Sequence, residues 1–419
     1  MAIQGLRDTS NFITNEAPEN WREGILLNYP NSAKAAKAPL TALTALMKSE
    51  STDDPRFHWF EKTLDDRRLE LHATGGDLAA ASAGDVHTLT LASGSNAKTF
   101  IKNDLLRVEA TGEILQVYAD PSSDTSLQVV RGACGSTPAT VDANGTNINP
   151  WVLAIGNAFE EGSMPPTGVN YDASEVYNYT QIFRRTLEIT GTASKTKLRT
   201  GDAIKEAKRE CLEYISTEME KAFFFGKRYS GTQNGKPWRT TNGIINQVDS
   251  NNIYSFASGS VTMALLEAQM EQVFKFGSDE KVAFCGNRAL LAINQCVRKN
   301  ASAQWQIREG VKEFGMEVTR LTTAFGTIVF KSHPLLTQAS GGTNGGSSAY
   351  YGMNSWAIIL DMDDLKYRYL TDRDLDYEAD LQANGMDGMQ SGYLAECGLE
   401  LHHATHHAVW KQMNAGAAD

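Results

Sequence analysis

Residues 203–225 carry the clearest pattern of apolar and polar positions in the chain. Ile204, Ala207, Cys211, Leu212, Ile215, Met219, Ala222 and Phe223 recur at three- and four-residue steps, the spacing that lines one side of an α-helix. Asp202 is placed to cap the start and Gly226 to end it. Just upstream, residues 178–183 and 186–192 are dense in Thr, Ile, Tyr and Phe, a composition that packs well on a pleated surface. The pattern therefore predicts strand first and one long helix second. That helix has a single apolar stripe, so another part of the chain must cover it.

The other periodic runs are shorter. Residues 262–276 predict a helix closed by Gly277, and residues 281–285 a strand. Asn287 caps a further helix with Leu290, Leu291, Cys296 and Val297 inward and Arg298 and Lys299 at its C-terminal end, where cations are favoured. Strands are expected at 317–322, 326–331, 356–361 and 365–370, and 392–401 runs into a histidine-rich tail ending at Trp410. These last strands are the expected cover for the long helix.

Residues 74–161 change texture. Gly, Ser, Thr and Asp separate short alternating runs at 86–91, 105–108, 114–118 and 127–130, which predicts a small all-β module. Asn144-Gly145 is a tight-turn signal, and Met164-Pro165-Pro166 a hinge. Residues 55–73 read as a strand-like ribbon interrupted by the charged turn Asp65-Asp66-Arg67-Arg68, and residues 1–50 as an arm anchored at 21–29 and by a helical run at 39–47.

Length and charge narrow the function. A chain of 419 residues predicts two or three structural units. No apolar run approaches a bilayer's thickness, and Met1-Ala2-Ile3-Gln4-Gly5 has no basic-then-apolar character, so neither a secreted nor a membrane protein is expected. The five cysteines are scattered without metal-type spacing and read as small core residues. A net charge of −11 argues against gripping nucleic acid over the whole surface.

Motifs for chemistry are weak. His402, His403, His406 and His407 would pair across a helix face as a zinc site needs. The preceding residues alternate like a strand, however, and no carboxylate lies within the cluster, which favours a structural role. The Gly231-to-Lys236 loop is one residue short of a phosphate-binding loop, and Lys236 is followed by Pro237. The acidic positions between Asp361 and Asp380 lack the spacing of a calcium loop and read as a solvated or intersubunit face. Arg184, Arg185, Lys195, Lys197 and Arg199 are candidates for contact with phosphate or with an acidic neighbouring subunit. No catalytic residue, metal or cofactor is expected.

The order of arm, charged ribbon, β-module, strand, long helix, α/β region and final strands resembles the major capsid proteins of tailed bacteriophages, which share the HK-ninety-seven-like fold. The residues that carry the resemblance are Asn178-Tyr179-Thr180-Gln181-Ile182-Phe183 with Ile189-Thr190-Gly191-Thr192, the helix end Glu220-Lys221-Ala222-Phe223-Phe224-Phe225-Gly226, and Thr240-Thr241-Asn242-Gly243-Ile244. Thr322-Thr323-Ala324-Phe325-Gly326-Thr327 and Leu365-Lys366-Tyr367-Arg368-Tyr369-Leu370 look like the same group.

The resemblance implies an α+β fold with an N-terminal arm (1–50), an extended loop (51–76, returning at 165–190) and an inserted β-module (77–164). It further implies a peripheral domain built on the long helix (191–251, with C-terminal strands 377–419) and an axial domain (252–376). Trp59, Phe60, Lys62, Asp65, Asp66, Arg67 and Arg68 of the extended loop would then touch a neighbouring subunit.

The implied function is self-assembly, through pentamers and hexamers, into an icosahedral shell around double-stranded DNA, which the acidic wall would touch only weakly. The implied location is the virion, with assembly in the bacterial cytoplasm and no membrane. Scaffolding, portal and decoration proteins are the expected partners. The short arm does not look like a cleaved scaffolding segment, so a separate scaffold or none is implied; Lys62 sits where some members form a lysine–asparagine cross-link, but non-covalent locking is the expectation. Two other readings compete: another phage head or tail structural protein, and a cytosolic metal-dependent enzyme using the histidine cluster.

Overall fold

The structure is a computed structural model that describes residues 41–63, 67–72, 78–79, 81–92, 96–141, 151–196, 202–256, 261–299, 308–313, 316–338 and 352–413. The chain divides into two compact units, one of Met1–Trp59 with Val176–Asp419 and one of Phe60–Glu175. The predicted anchor at 21–29 and the Asn144-Gly145 turn lie outside the described residues.

In the first unit the long helix spans Ala203–Phe225, and the Asp202 carboxylate accepts from the Ile204 N–H at its start. It packs on a five-stranded sheet in which Lys48–Thr52 runs parallel to Leu365–Leu370. Leu365–Leu370 pairs antiparallel with Gly388–Leu401, which pairs antiparallel with Gln181–Thr190; Asp376–Glu378 adds to the free side of Gly388–Leu401. Cys211, Ile215, Met219 and Phe223 of the helix are buried. Phe183, Leu365, Tyr367, Ala395, Cys397, Leu399 and Leu401 lie in the same core. Of the expected last strands, Gly388–Leu401 does cover the helix, but Gln181–Thr190, placed in the returning segment 165–190, lies beside it in the same sheet and supplies the larger part of the cover. Leu212, expected on the buried stripe, is 37% exposed, while Glu220 and Phe224 are buried. The reason is that the C-terminal half of the helix is enclosed on a second side, where Phe224 meets Phe284 and His333 edge-on.

A seven-stranded mixed sheet runs in the order Ile253–Ser255, Ala408–Lys411, Ala357–Leu360, Glu280–Cys285, Thr327–Ser332, Met316–Thr322 and Arg308–Glu313. Strand alternation divides its side chains between two cores. Phe284, Ile358, Leu360 and Val409 join the core of the long helix. Ala283, Cys285, Ala357, Ile359, Ala408 and Trp410 pack with Leu266 and Met270 of helix Met263–Val273 and Ala289, Ile293 and Cys296 of helix Asn287–Lys299.

Two expected boundaries are corrected by these sheets. Leu365–Leu370, placed in the axial segment 252–376, belongs to the sheet under the long helix, whereas Ala408–Lys411, placed with the peripheral strands 377–419, completes the seven-stranded sheet. Near the turn, Gly191–Lys195 is a short helix capped by Thr190, where strand was expected.

The second unit is a six-stranded antiparallel sheet, ordered Arg68–Glu70, Trp151–Asn157, Asp104–Val108, Ile114–Val117, Ser126–Val130 and Val86–Thr90. A bridge between Leu71 and Leu91 joins the chain just past its two edge strands. One alternate face supplies the core, including Leu69, Leu89, Leu106, Val108, Leu115, Val117, Leu127, Val129 and Val152. Arg68–Glu70, placed in the segment 51–76 expected to form an extended loop, pairs inside this sheet instead. Buried within the unit, Arg131 grips Glu113 through two hydrogen bonds of 2.7 and 2.8 Å. The remaining capacity of the pair is filled by Ala79 and Ala139 carbonyls and by the Gly132 and Ala139 N–H groups. The chain passes from the first unit to the second along Arg56–Glu61 and returns along Ser174–Tyr179, and these two strands pair as a ribbon.

Candidate assembly surfaces

In Arg56–Glu61 alternation turns Phe57 and Trp59 inward and leaves Phe60 73% exposed. Trp59 is buried against Phe57 and His402, with ring centroids 6.1 and 5.9 Å away. Trp59 was expected to meet a neighbouring subunit; it is instead spent inside its own chain, because it falls on the inward register. Phe60 is the large apolar group this strand presents to solvent. Lys62 lies over the Tyr171 ring at 4.2 Å.

Arg67 and Arg68 are engaged by the β-module. Arg67 is ion-paired to Asp104, and Arg68 makes hydrogen bonds of 2.6 and 2.7 Å to Glu109 while lying over Trp151. Asp65 and Asp66 lie outside the described residues.

The basic set before the long helix is answered in part within the chain. Arg184 and Arg185 are successive strand residues and point to opposite faces. Arg184 meets Glu378 at 3.1 Å. Arg185 donates to Glu218 of the long helix, with Nε to Oε2 at 2.9 Å, and its guanidinium faces Tyr214. Lys195 sits in the last turn of Gly191–Lys195, and Lys197 and Arg199 lie outside the described residues.

The histidines sit between Gly388–Leu401 and Ala408–Lys411; the His403 ring stacks on His406 with centroids 4.7 Å apart, and His402, His406 and His407 each meet a different polar partner. His402 contacts Glu400, which also receives Arg368. Burial pushes the Glu400 carboxyl up, but the hydrogen bonds from His402 and Arg368 outweigh it and hold it below the usual carboxylate range. His406 Nδ1 meets Asp364 at 2.6 Å. His407 accepts from the Asp361 N–H at Nδ1 and faces the His402 carbonyl through Nε2 at 3.1 Å, and burial pushes its pKa down to about 4. The imidazole is therefore neutral, with its proton on Nε2.

Asp361, Asp364 and His406 converge closely enough to hold a cation. A cation of the chain already stands there. Lys281 is buried and donates to the carbonyls of Val273, Phe276 and His406 at 3.0, 2.9 and 2.6 Å, closing the C-terminal end of helix Met263–Val273. Burial lowers its pKa, against the attraction of Asp361 and Asp364. A Cβ at Gly277 would lie 3.0 Å from Asp361 and 3.1 Å from both His406 and Lys281, so this packed charge network also fixes a glycine at φ +88°. His402 belongs to a separate pair and does not join it.

Two buried polar residues carry contacts that no motif announced. Glu220 on the long helix accepts from Leu43 N at 2.7 Å, Thr44 N at 3.2 Å and Thr44 Oγ1 at 2.7 Å, and lies 3.3 Å from His333 Nε2. It thereby anchors helix Ala42–Leu46 to the long helix. Asn178 donates to the Leu399 carbonyl at 2.6 Å and accepts from Asn242 N at 2.9 Å, fixing the base of the loop that follows the long helix. The only sequence signal for Glu220 was an acid interrupting an apolar stripe.

A family model described as SU10 major capsid protein matches residues 31–414. A major capsid protein from Pseudomonas phage PaMx41 is 28% identical over 371 residues, covering 86% of this chain and 81% of that one. Among solved structures, the capsid of Myoviridae phage XM1 is 9% identical with a TM-score of 0.44, covering 97% of this chain and 99% of that one. The capsid of a native GTA particle is 8% identical with the same TM-score of 0.44, covering 94% and 95%.

Proposed function

The chain belongs to the SU10 major capsid protein family, and from that premise we propose that its copies close, through pentamers and hexamers, into an icosahedral head that encloses double-stranded DNA. The observation that carries the reading is the family match across residues 31–414. The subunit's form supports it. The outward face of the ribbon, with Phe60 on it, leaves area that an isolated subunit does not cover, and a closed shell needs many moderate contacts of that kind.

In this reading the long helix with its five-stranded sheet is the peripheral domain, the seven-stranded sheet with its helices is the axial domain, and Arg56–Glu61 with Ser174–Tyr179 is the extended loop. The β-module is an insertion in that loop, open to a decoration protein. Scaffolding and portal proteins are further partners, and the head is assembled in the bacterial cytoplasm. A net charge of −11 keeps DNA contact weak and local. Among the described residues, no helix is long and apolar enough to cross a membrane.

Electron microscopy and size exclusion of the purified protein test the proposal. Shells, tubes or five- and six-fold rings are expected; a monodisperse monomer under every assembly condition, including with a scaffold, would refute it. The metal-enzyme alternative requires stoichiometric zinc that is lost on His402→Ala and His406→Ala.

A further inference from the structure

Directly after the long helix the chain forms a two-stranded hairpin, Tyr229–Gln233 with Lys236–Thr240. Asn234 and Gly235 turn it with φ of 52° and 74°, the pattern of a tight hairpin turn. It forms a sheet of its own, and a two-stranded hairpin by itself is marginally stable in water. Its base is nonetheless fixed. Gly243 N donates to Gly226 O at 2.9 Å, and Thr240 Oγ1 to Lys227 O at 2.7 Å. A Cβ at Gly243 would fall 2.6 Å from Gly226 N, so the two strands of chain meet too closely for any side chain there.

The hairpin's surface has a distinct chemistry. Tyr229 and Trp238 are 53% and 46% exposed, with ring centroids 5.3 Å apart on one face. Residues 227–240 contain four cations and no acid, in a chain of net charge −11. Arg228 is held by Tyr177, donating to its carbonyl at 2.7 Å and lying over its ring, and Arg239 is half-buried on the face opposite Trp238, which leaves Lys227 and Lys236 exposed beside the aromatic pair. Exposed aromatic pairs beside cations are surfaces that association buries.

The same structural unit carries the complementary surface. Residues 371–380 hold five acids and one arginine, and Leu375 is exposed among them; Tyr377 is partly covered by Lys208, which lies over its ring at 4.3 Å, and by Tyr393. Asp374 is taken by Tyr367, Glu378 by Arg184, and Arg373 by Glu396. Asp372, Asp376 and Asp380 are exposed. The two surfaces lie to opposite sides of strand Gly388–Leu401. Thr241 N, at the hairpin base, donates to Gln181 of the strand on one side, while Asp376–Glu378 pairs from the other.

We infer that the hairpin of one copy docks on residues 371–380 of the next copy, its aromatic pair against Leu375 and the open part of Tyr377, and its exposed Lys227 and Lys236 against Asp372, Asp376 and Asp380. Two different surfaces on opposite sides of one rigid sheet make a head-to-tail contact, the kind that generates rings. The inference rests on the shell reading and specifies one contact within it.

The test is a charge swap in the full-length chain. Lys227→Glu with Lys236→Glu should keep the wild-type circular dichroism spectrum and melting curve and cut particle yield by about tenfold or more at about 0.1 M salt, where exposed charges interact over about 10 Å. Adding Asp372→Lys with Asp376→Lys should restore yield to within about twofold of wild type, since the pairs are rebuilt with signs exchanged. Trp238→Ser should reduce yield without changing the melting curve. Undiminished particles from the hairpin variant, or folded charge-swap variants that do not recover, would overturn the inference while wild-type shells leave the capsid reading standing. A wild-type chain that forms no particles would overturn both.

Discussion

Replacing Glu220 with Ala should loosen helix Ala42–Leu46 from the long helix. Two of the groups it serves, Leu43 N and His333 Nε2, belong to fully buried residues, and Thr44 contributes a part-buried N–H and hydroxyl. Leaving two buried donors unpaired costs about 1–3 kcal/mol each, and the two part-buried bonds to Thr44 about 0.5 kcal/mol or more each. His333 lies outside helix Ala42–Leu46, so its lost bond weakens the fold but not this contact; the part from Leu43 and Thr44 is about 3 kcal/mol, or about a hundredfold in the local opening equilibrium of the helix. Glu220→Gln keeps one acceptor for Leu43 but turns an amide donor toward other donors, so about half that loss is expected. Thr44→Val, which removes a single hydrogen bond, should cost about 1 kcal/mol. Hydrogen exchange of the amides of Leu43, Thr44, Ala45 and Met47 reads the effect directly, because local opening governs it. The last two amides report the helix itself, donating to Thr41 O and Leu43 O. Protection within about threefold of wild type in a natively folded Glu220→Ala chain would refute the reasoning.

Three further outcomes follow from the charges and exposures. Glu113→Gln should destabilise the β-module by about 3–5 kcal/mol, because Arg131 is left as a buried charge without its counter-ion; a calorimetric scan that matches wild type would contradict it. Burial raises the Glu113 carboxyl, but Arg131 and two backbone N–H groups hold it below its ordinary value, so this contribution is full above the usual carboxylate pKa and is lost as pH falls through the depressed one. His407 titrates near 4 in the fold against an ordinary 6.5; its stabilisation is complete above pH 6.5 and fades below, by roughly 3 kcal/mol near pH 4. Urea midpoints between pH 7 and 4.5 should therefore decline more steeply in wild type than in His407→Gln, and parallel curves would exclude it. Phe60→Ser, at a site 73% exposed, should leave subunit stability within about 0.5 kcal/mol of wild type and lower particle yield, so unchanged yield in sedimentation would count against the ribbon as an assembly surface.

The sequence by itself determined the elements whose rules are local. Three- and four-residue spacing, an Asp202 cap and a terminal glycine located Ala203–Phe225 to within a residue. Alternation located the module strands Val86–Thr90, Asp104–Val108, Ile114–Val117 and Ser126–Val130. Such patterns need only neighbours a few residues away.

What the tertiary structure alone decided depended on distant partners. Lys48–Thr52 lies beside Leu365–Leu370, and Ile253–Ser255 beside Ala408–Lys411, pairings that no local pattern specifies. The same limit governs the candidate sites. Trp59 and Phe60 are adjacent aromatics, and only the register of the ribbon turned one inward and the other outward. Arg184 and Arg185 read as free cations until Glu378 and Glu218 arrived from other elements. Glu220 sits on the helix that spacing predicted best, yet its importance comes from Leu43, Thr44 and His333, which lie more than a hundred residues away in the chain. A buried charge is defined by what surrounds it, and that is settled only when the chain has folded.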